Sequence, residues 1–273
     1  QAGWGEAAPA LSSAHLGTGA GPGWLDYISC SGRVQCLPKY KWKARGDQHS
    51  ESTGSCYIVL SSLLGWPKDC SEIPTDRPSG VYIIQPTGLH PLVVYCEMNV
   101  ADGGWTVIQR NQHNTAITWA ESWSTYKYGF GDVHSEYWLG TEYIYQIARQ
   151  KVYQVKFVIE DATSSTKFAD YNLFSLEDES HGYRLRLGAY TGTAGDAMTS
   201  DNPKNVHNNM KFSTKDRDQD IYRGNCAYSY EGGWWYSACY SVRLNFKGGL
   251  TWGSLCNGNC KSSLILIKPA PYH

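Results

Sequence analysis

Chemistry in this chain concentrates between Lys215 and Tyr240, in KDRDQDIYRGNCAYSYEGGWWYSACY. Asp216, Asp218 and Asp220 set carboxylates at alternate positions. So much like charge in a compact loop is tolerated best with a hard cation among the oxygens. Calcium is the natural candidate, and the plain alternative is a solvated acidic turn. Cys226 and Cys239, with twelve residues between them, suit a disulfide closing a loop, and Gly232-Gly233-Trp234-Trp235-Tyr236 lies inside it. Aromatic rings then stand beside a stapled, metal-braced backbone. Catalytic signatures are missing: the sequence holds no G-x-S-x-G elbow, no H-E-x-x-H helix and no Walker loop, and its eight histidines form no constellation. An enzyme is not expected.

Bulk properties narrow the partners. Lys and Arg number 24 against 25 Asp and Glu, a formal net charge of −1, so charge draws neither nucleic acid nor a membrane surface. The 11 Trp and 20 Tyr supply rigid contact area with a polar handle, as recognition surfaces do. Nine cysteines without dense C-x-x-C pairs favour disulfides over zinc, hence an oxidising compartment and a secreted, extracellular protein. The sequence opens at Gln1 with no start Met and no charged-then-apolar leader, read as a mature form with its signal peptide removed. The longest apolar stretch, Tyr57 to Trp66, is broken by Ser61, Ser62 and Gly65 and is too short for a membrane span. No Asn-x-Ser/Thr sequon occurs, so N-glycosylation is not expected.

The elements that must position Lys215–Tyr240 follow two changes of composition. Residues 1 to about 29 are rich in Gly, Ala, Ser and Pro, lack apolar periodicity and read as a flexible arm. From Cys30 to Lys68 come Cys30, Cys36 and Cys56, with Lys39, Lys41, Lys43 and Arg45 interleaved with Tyr40 and Trp42. This reads as a small stapled extension, so residues 1–69 form the N-terminal arm and extension and 70–273 the main domain. Lysines at alternate positions project from one face of an extended strand. A solvated strand face is the expectation, with a heparin-like polyanion as the alternative ligand. No heptads appear, and no coiled-coil stalk is expected.

After Cys70 the pattern is α+β with many short strands. Gly80–Ile84 and Leu92–Cys96 flank the turn-prone Pro86–Pro91 and predict a hairpin whose base Cys70 and Cys96 would staple. Gly103–Ile108 predicts a buried strand after a glycine turn. Glu136–Arg149 is read as including a helix, Val152–Ile159 alternates as a strand, and Tyr183–Leu187 is extended.

Laid end to end, these pieces carry a run of ordered words: Ser79-Gly80-Val81-Tyr82, Val94-Tyr95-Cys96-Glu97-Met98, Gly103-Gly104-Trp105-Thr106-Val107-Ile108-Gln109-Arg110 and Tyr128-Gly129-Phe130-Gly131. Glu136-Tyr137-Trp138-Leu139-Gly140, Gly192-Thr193-Ala194-Gly195-Asp196, Lys211-Phe212-Ser213-Thr214 and Asn225-Cys226-Ala227 continue it. Residues 70 to about 269 thereby resemble the fibrinogen-related domain, the C-terminal globe of fibrinogen chains, ficolins, tachylectins and angiopoietins. Tyr190–Asp196 and Met210–Ala227 are nearest in wording to its fibrinogen-like branch.

The resemblance implies an α+β fibrinogen C-terminal globular domain with an antiparallel central sheet and a loop-rich calcium-binding subdomain, here preceded by the Cys-containing extension. It implies bridges Cys70–Cys96 and Cys226–Cys239. Counting back from Cys226, the family's calcium acids fall on Asp218 and Asp220 and its carbonyl ligands on Tyr222 and Gly224, leaving Asp216 outlying or solvated. A carbonyl turned inward at Gly224 benefits from glycine's backbone freedom.

Ligand expectations come from the same source. In the family's acetyl-binding lectins, a pocket beside the disulfide uses a Tyr four positions after the first cysteine and a His directly after the second. Tyr230 matches the former, while Tyr240 stands where the imidazole would be. Tyr236 and Trp252 are expected to shape an apolar slot for a methyl group, and Trp234 or Trp235 (Trp235 in the candidate ligand set) to contact the ligand, with at least one of the two in the core. The Ala238–Cys239 peptide falls where lectin members strain the backbone. Beyond Tyr240 the wording departs from the family, and Cys256 and Cys260 within CNGNC are additions able to bridge each other or the extension. Two family bridges would leave Cys30, Cys36, Cys56, Cys256 and Cys260, an odd number. The expected function is a calcium-stabilised recognition protein that engages a protein receptor through its C-terminal loops. The alternatives are a lectin for N-acetylated glycans and a disulfide-linked homo-oligomer with a matrix role.

Overall fold

Ser262-Ser263-Leu264-Ile265-Leu266-Ile267, close to the end of the chain, forms the middle of the main sheet. The computed structural model describes residues 65–199, 202 and 204–271. The arm, the basic run and Cys30, Cys36 and Cys56 lie outside the described residues. In chain order the strands are β1 (Gly80–Ile84), β2 (Leu92–Glu97), β3 (Trp105–Asn111), β4 (Phe130–Gly131), β5 (Tyr137–Trp138), β6 (Tyr153–Glu160), β7 (Thr166–Leu176), β8 (Leu185–Leu187), β9 (Tyr190–Gly192), β10 (Val242–Arg243), β11 (Leu250–Trp252), β12 (Cys256–Cys260) and β13 (Ser262–Pro269). Helices α1 (Trp123–Tyr128), α2 (Thr141–Ala148) and α3 (Cys226–Ser229) interrupt them.

The large sheet runs β1-β2-β3-β13-β6-β7-β8, with β4, β5 and β9 attached at its flanks. Ile265 on β13 stands opposite Gln109 on one side and Phe157 on the other. One face carries the core: Ile108, Val155, Phe157, Ile159, Ile265 and Ile267 are buried, each contributing roughly 1.5–3 kcal/mol of apolar burial. The middle of β13, Leu264–Ile267, is continuously apolar because strands pair with it on both edges and both faces are covered at Ile265, Leu266 and Ile267, which are all buried.

The hairpin forms as expected, Gly80 facing Cys96, and the Cys70–Cys96 bridge closes its base. Cys70 N donates to Thr106 Oγ1 (3.1 Å) and the Tyr153 hydroxyl to the Asp69 carboxylate (2.5 Å). The chain therefore enters the domain pinned to β3 and β6. Beyond β9 the backbone is mostly loops, supported by the small antiparallel sheet β10-β11-β12. There Trp252 pairs with Cys256 and Leu250 with Cys260. A Cys256–Cys260 bridge joins the two ends of β12, so the CNGNC pair bridges itself and not the extension.

Candidate functional site

Asp216 turns away from the other two acids. Its Oδ1 accepts from Trp123 N (2.8 Å) and from the Thr214 hydroxyl (2.8 Å), which ties the first residue of α1 to the acidic loop. Arg217 stacks on the Trp123 ring at 3.9 Å. Glu179 accepts from Trp123 Nε1 (2.8 Å) and Lys127 Nζ (2.6 Å), so α1 is fastened on two sides.

Asp218 and Asp220 stay together. Asp218 Oδ1 accepts from Asp220 N (3.2 Å), while Asp220 accepts Tyr222 N on Oδ1 (2.8 Å) and Cys226 N on Oδ2 (2.9 Å). Burial is the main push on the Asp220 carboxyl and Asp218 adds like-charge repulsion. It is held at about 6 against an ordinary 3.8, although the two amide donors pull the other way. The carbonyls of Tyr222 and Gly224 accept no backbone hydrogen bond from the described residues. The Tyr222 ring lies over Gly224, where an added Cβ would sit 3.1 Å from Cε1. Among the described residues no three acidic, histidine or cysteine side chains converge on one point. A cation here would take two carboxylates and complete its shell with carbonyls and water, an all-oxygen set that fits a hard ion and not a thiolate- or imidazole-seeking one.

The Cys226–Cys239 bridge is present, and Asn225 Oδ1 caps α3 by accepting from Tyr228 N (2.8 Å). Beside the bridge, half-buried Tyr230 and Tyr240 meet edge to face at 4.8 Å. Arg243 donates from Nη2 to Tyr230 O (2.9 Å) and lies 3.3 Å from the Phe246 ring centre. Tyr240, at the sequence position where the resemblance would put an imidazole, thus packs onto Tyr230.

Three expected ligand contacts are corrected. Trp235, Tyr236 and Trp252 are 2 %, 1 % and 0 % exposed, and their polar atoms are spent internally. Trp235 Nε1 donates to Tyr183 O (2.8 Å), the Tyr236 hydroxyl to Gly232 O (2.9 Å) and Trp252 Nε1 to Gly195 O (3.0 Å). Trp234 is buried as well. Both tryptophans are core because this stretch runs between packed layers, where either side of an extended backbone meets protein. The Ala238–Cys239 peptide is trans.

His207, which the motifs did not single out, organises this region. It is fully buried; Nδ1–H donates to Trp235 O (2.8 Å), and Nε2 accepts from Ser241 N (3.1 Å) and Val242 N (3.0 Å). Burial holds it neutral, down to about 4. Its only sequence signal was a histidine among asparagines in Val206-His207-Asn208-Asn209. On the outside, Ile221, Tyr222 and Tyr228 are 60 %, 54 % and 71 % exposed.

A strand-rich globe threaded by its C-terminal strand, followed by a disulfide-closed loop subdomain with paired acids, defines a fibrinogen-type domain. Residues 66–259 match the family described as "Fibrinogen beta and gamma chains, C-terminal globular domain", and the chain belongs to that family. It is 48 % identical over 201 residues to a fibrinogen-like protein 1-like protein of Gallus gallus, covering 73 % of this chain and 71 % of that one. Human angiopoietin-related protein 1 is 42 % identical over 219 residues, 74 % of this chain, which spans only 43 % of that relative. The fibrinogen-like globe domain of human ANGPTL6 superposes with a TM-score of 0.70 at 38 % identity, covering 78 % of this chain and 100 % of that one. Lamprey fibrin D-dimer, complexed with the peptide Gly-His-Arg-Pro-amide, gives 0.69 at 31 % identity, with 76 % of this chain and 74 % of that one covered.

Proposed function

We propose that this chain is a secreted, non-enzymatic recognition domain. It engages a protein partner through its C-terminal loops and is braced by Ca2+ on Asp218, Asp220 and the carbonyls of Tyr222 and Gly224. The observation that carries this reading is the exposure of Ile221, Tyr222 and Tyr228 within one short stretch beside the paired acids. Large apolar side chains left in water close together mark interaction surfaces, and aromatic residues anchor protein interfaces most often. Tyr236 and Trp252 of the expected acetyl slot, and Trp235 beside it, are buried, which favours polypeptide over sugar. The peptide in the lamprey relative points the same way. Among the described residues no helix is long and apolar enough to cross a membrane.

The test sets protein against glycan. Binding to partner-bearing cells is expected to survive excess free N-acetylated sugar, and to fall about tenfold or more in an Ile221→Asp/Tyr228→Ser variant, as for a truncated interface anchor. Selective binding to N-acetylated glycans on an array, lost on Tyr230→Ala, would replace this reading with the lectin one. Three bridges use six of the nine cysteines, so three remain. A disulfide-linked homo-oligomer is part of the proposal, and monomer alone on both reducing and non-reducing gels removes it.

A further inference from the structure

The sheet face away from the core carries a groove of about 360 Å³. Half-buried Tyr95, Val158 and Leu264 are the apolar part of a lining that is otherwise polar, with Gln112, His134 and Thr166 in it, and Glu97 on β2 and Glu160 on β6 stand on its rim. Neither carboxylate has an ion-pair partner among the described residues. Glu97 accepts from the Ser79 hydroxyl (2.5 Å) and Asn99 N (2.9 Å), and Glu160 from the Ser262 hydroxyl (3.1 Å). The cation in the groove, Arg110, is 7 % exposed, donates to Val133 O (2.8 Å) and Ser135 O (3.2 Å), and lies over the Tyr95 ring at 4.5 Å. It is committed to the lining. What the groove leaves unanswered is negative charge at the rim and apolar surface between.

We propose that the occupant is the chain's own basic segment, Lys39-Tyr40-Lys41-Trp42-Lys43-Ala44-Arg45. Extended, such a sequence presents cations on one side and aromatic rings on the other, which matches an acidic rim and the apolar part of the lining. Two strands separate β2 from β6, and Glu97 lies just beyond the level of Ile267 while Glu160 faces Ser262, so their backbones are roughly 25 Å apart at ~4.8 Å per strand and ~3.3 Å per residue. Lys39 to Arg45 covers about 20 Å of backbone when extended, and the long side chains at its two ends make up the difference. The tether is long enough: twenty residues join Arg45 to Gly65 and reach up to roughly 70 Å. A domain of this size has a radius of gyration of only about 17 Å. The groove lies apart from the Ile221–Tyr228 surface in sequence and strand order, so this inference stands or falls separately from the proposed partner site.

Zero-length carbodiimide cross-linking of the full chain, read by mass spectrometry, tests it. Amide links from Lys39, Lys41 or Lys43 to Glu97 or Glu160 are expected, formed equally at low and high protein concentration and absent in Glu97→Gln/Glu160→Gln. The 2.6 Å pairs Lys156–Asp170 and Lys127–Glu179 serve as internal controls. Control links without groove links overturn the proposal. An equal mixture of 14N- and 15N-labelled chains distinguishes a second copy: mixed-isotope groove links would assign the occupant to another molecule and overturn the intramolecular docking claimed here. A Lys39→Glu/Lys41→Glu/Lys43→Glu variant should also lose protection from hydrogen exchange at exposed groove positions of β13, with the core strands unchanged.

Discussion

Acidification should unfasten the loop subdomain through His207, and the size of the effect follows from the burial that keeps its ring neutral. In the folded protein the ring is neutral, down to about 4 because of burial, against an ordinary 6.5. As pH falls below 6.5 the unfolded chain takes up this proton and the folded one does not, so stability is lost progressively until about pH 4, and no further below it. At 1.36 kcal/mol per unit, the loss is about 3 kcal/mol over that window. Asp220 works in the opposite direction. Its folded carboxyl titrates at about 6 against 3.8, so the folded state binds that proton first and gains stability as pH falls from 6 to 4. Asp220 is partly exposed, and screening reduces this gain to about 1 kcal/mol. Other carboxylates also respond to acid, so the readout is a difference between variants. In urea titrations at pH 7 and pH 4.5 and constant ionic strength, His207→Gln should lose about 2–3 kcal/mol less than the parent on acidification. Equal acid losses in parent and variant would refute the argument. If the variant does not fold, NMR titration of the parent decides instead: a His207 ring that titrates near 6.5 in the folded state has the same meaning.

Three further outcomes follow. Calcium at a hundredfold excess over its Kd should add about 2.7 kcal/mol, raising the melting temperature by roughly 5–10 °C. Asp218→Asn/Asp220→Asn should abolish the increment, and so should lowering the pH through about 6, where Asp220 holds its proton; an EDTA-insensitive melting curve rules the metal out. Replacing each disulfide by a serine pair should rank by the loop it closes, with separations of 26, 13 and 4 for Cys70–Cys96, Cys226–Cys239 and Cys256–Cys260. Chain-entropy costs are about 3.5, 3 and 2 kcal/mol, measurable in denaturant, and a reversed order would contradict this account. Gly131→Ala should cost on the order of 1–3 kcal/mol by thermal melting, because φ is +90° there and the new Cβ would lie against the Glu136 carbonyl and 2.7 Å from Tyr137 Cα; an unchanged melting temperature would show that the turn relaxes freely.

Much of the sheet was legible because its periods are short and local. The β1–β2 hairpin, β3 after Gly103-Gly104, α2 within Glu136–Arg149 and β6 all carry their signal in consecutive residues. β7 was not read, since its buried positions Ala169 and Tyr171 keep one phase and Phe174 and Leu176 another. A register shift against β6 accompanies that slip, which breaks the alternation a strand is recognised by. β13 shows a plain apolar run, but nothing local states that a C-terminal strand belongs between β3 and β6. The paired acids and both family bridges were visible from spacing and resemblance. The burial of Trp235, Tyr236 and Trp252 was not, because an aromatic cluster reads alike as a binding platform or as core. Only the packed layers on both sides decide between them.

The same packing explains why the exposed surface around Ile221 holds its shape without regular secondary structure of any length. Asp216 fastens the loop to α1 before the paired acids begin, and the Asp220 carboxylate receives Tyr222 N and Cys226 N as the chain leaves them. The Cys226–Cys239 bridge then joins α3 to the segment carrying Tyr240. His207 holds the next two amides, Ser241 N and Val242 N, while gripping Trp235 O on the other side. Each of these four ties lies on a side chain or a bridge and can be removed separately, while backbone bonds such as Ile221 N to Ser237 O (3.1 Å) and Ala238 N to Lys204 O (3.0 Å) add to them. Removing Asp216, at the far end from His207, should therefore loosen α1 and the acidic loop while leaving the Tyr230–Tyr240 pair in place. Hydrogen exchange on Asp216→Ala can show this directly: faster exchange at Trp123 N and unchanged exchange at Val242 N is the expected pattern, and a common acceleration of both would mean that the ties act as one unit.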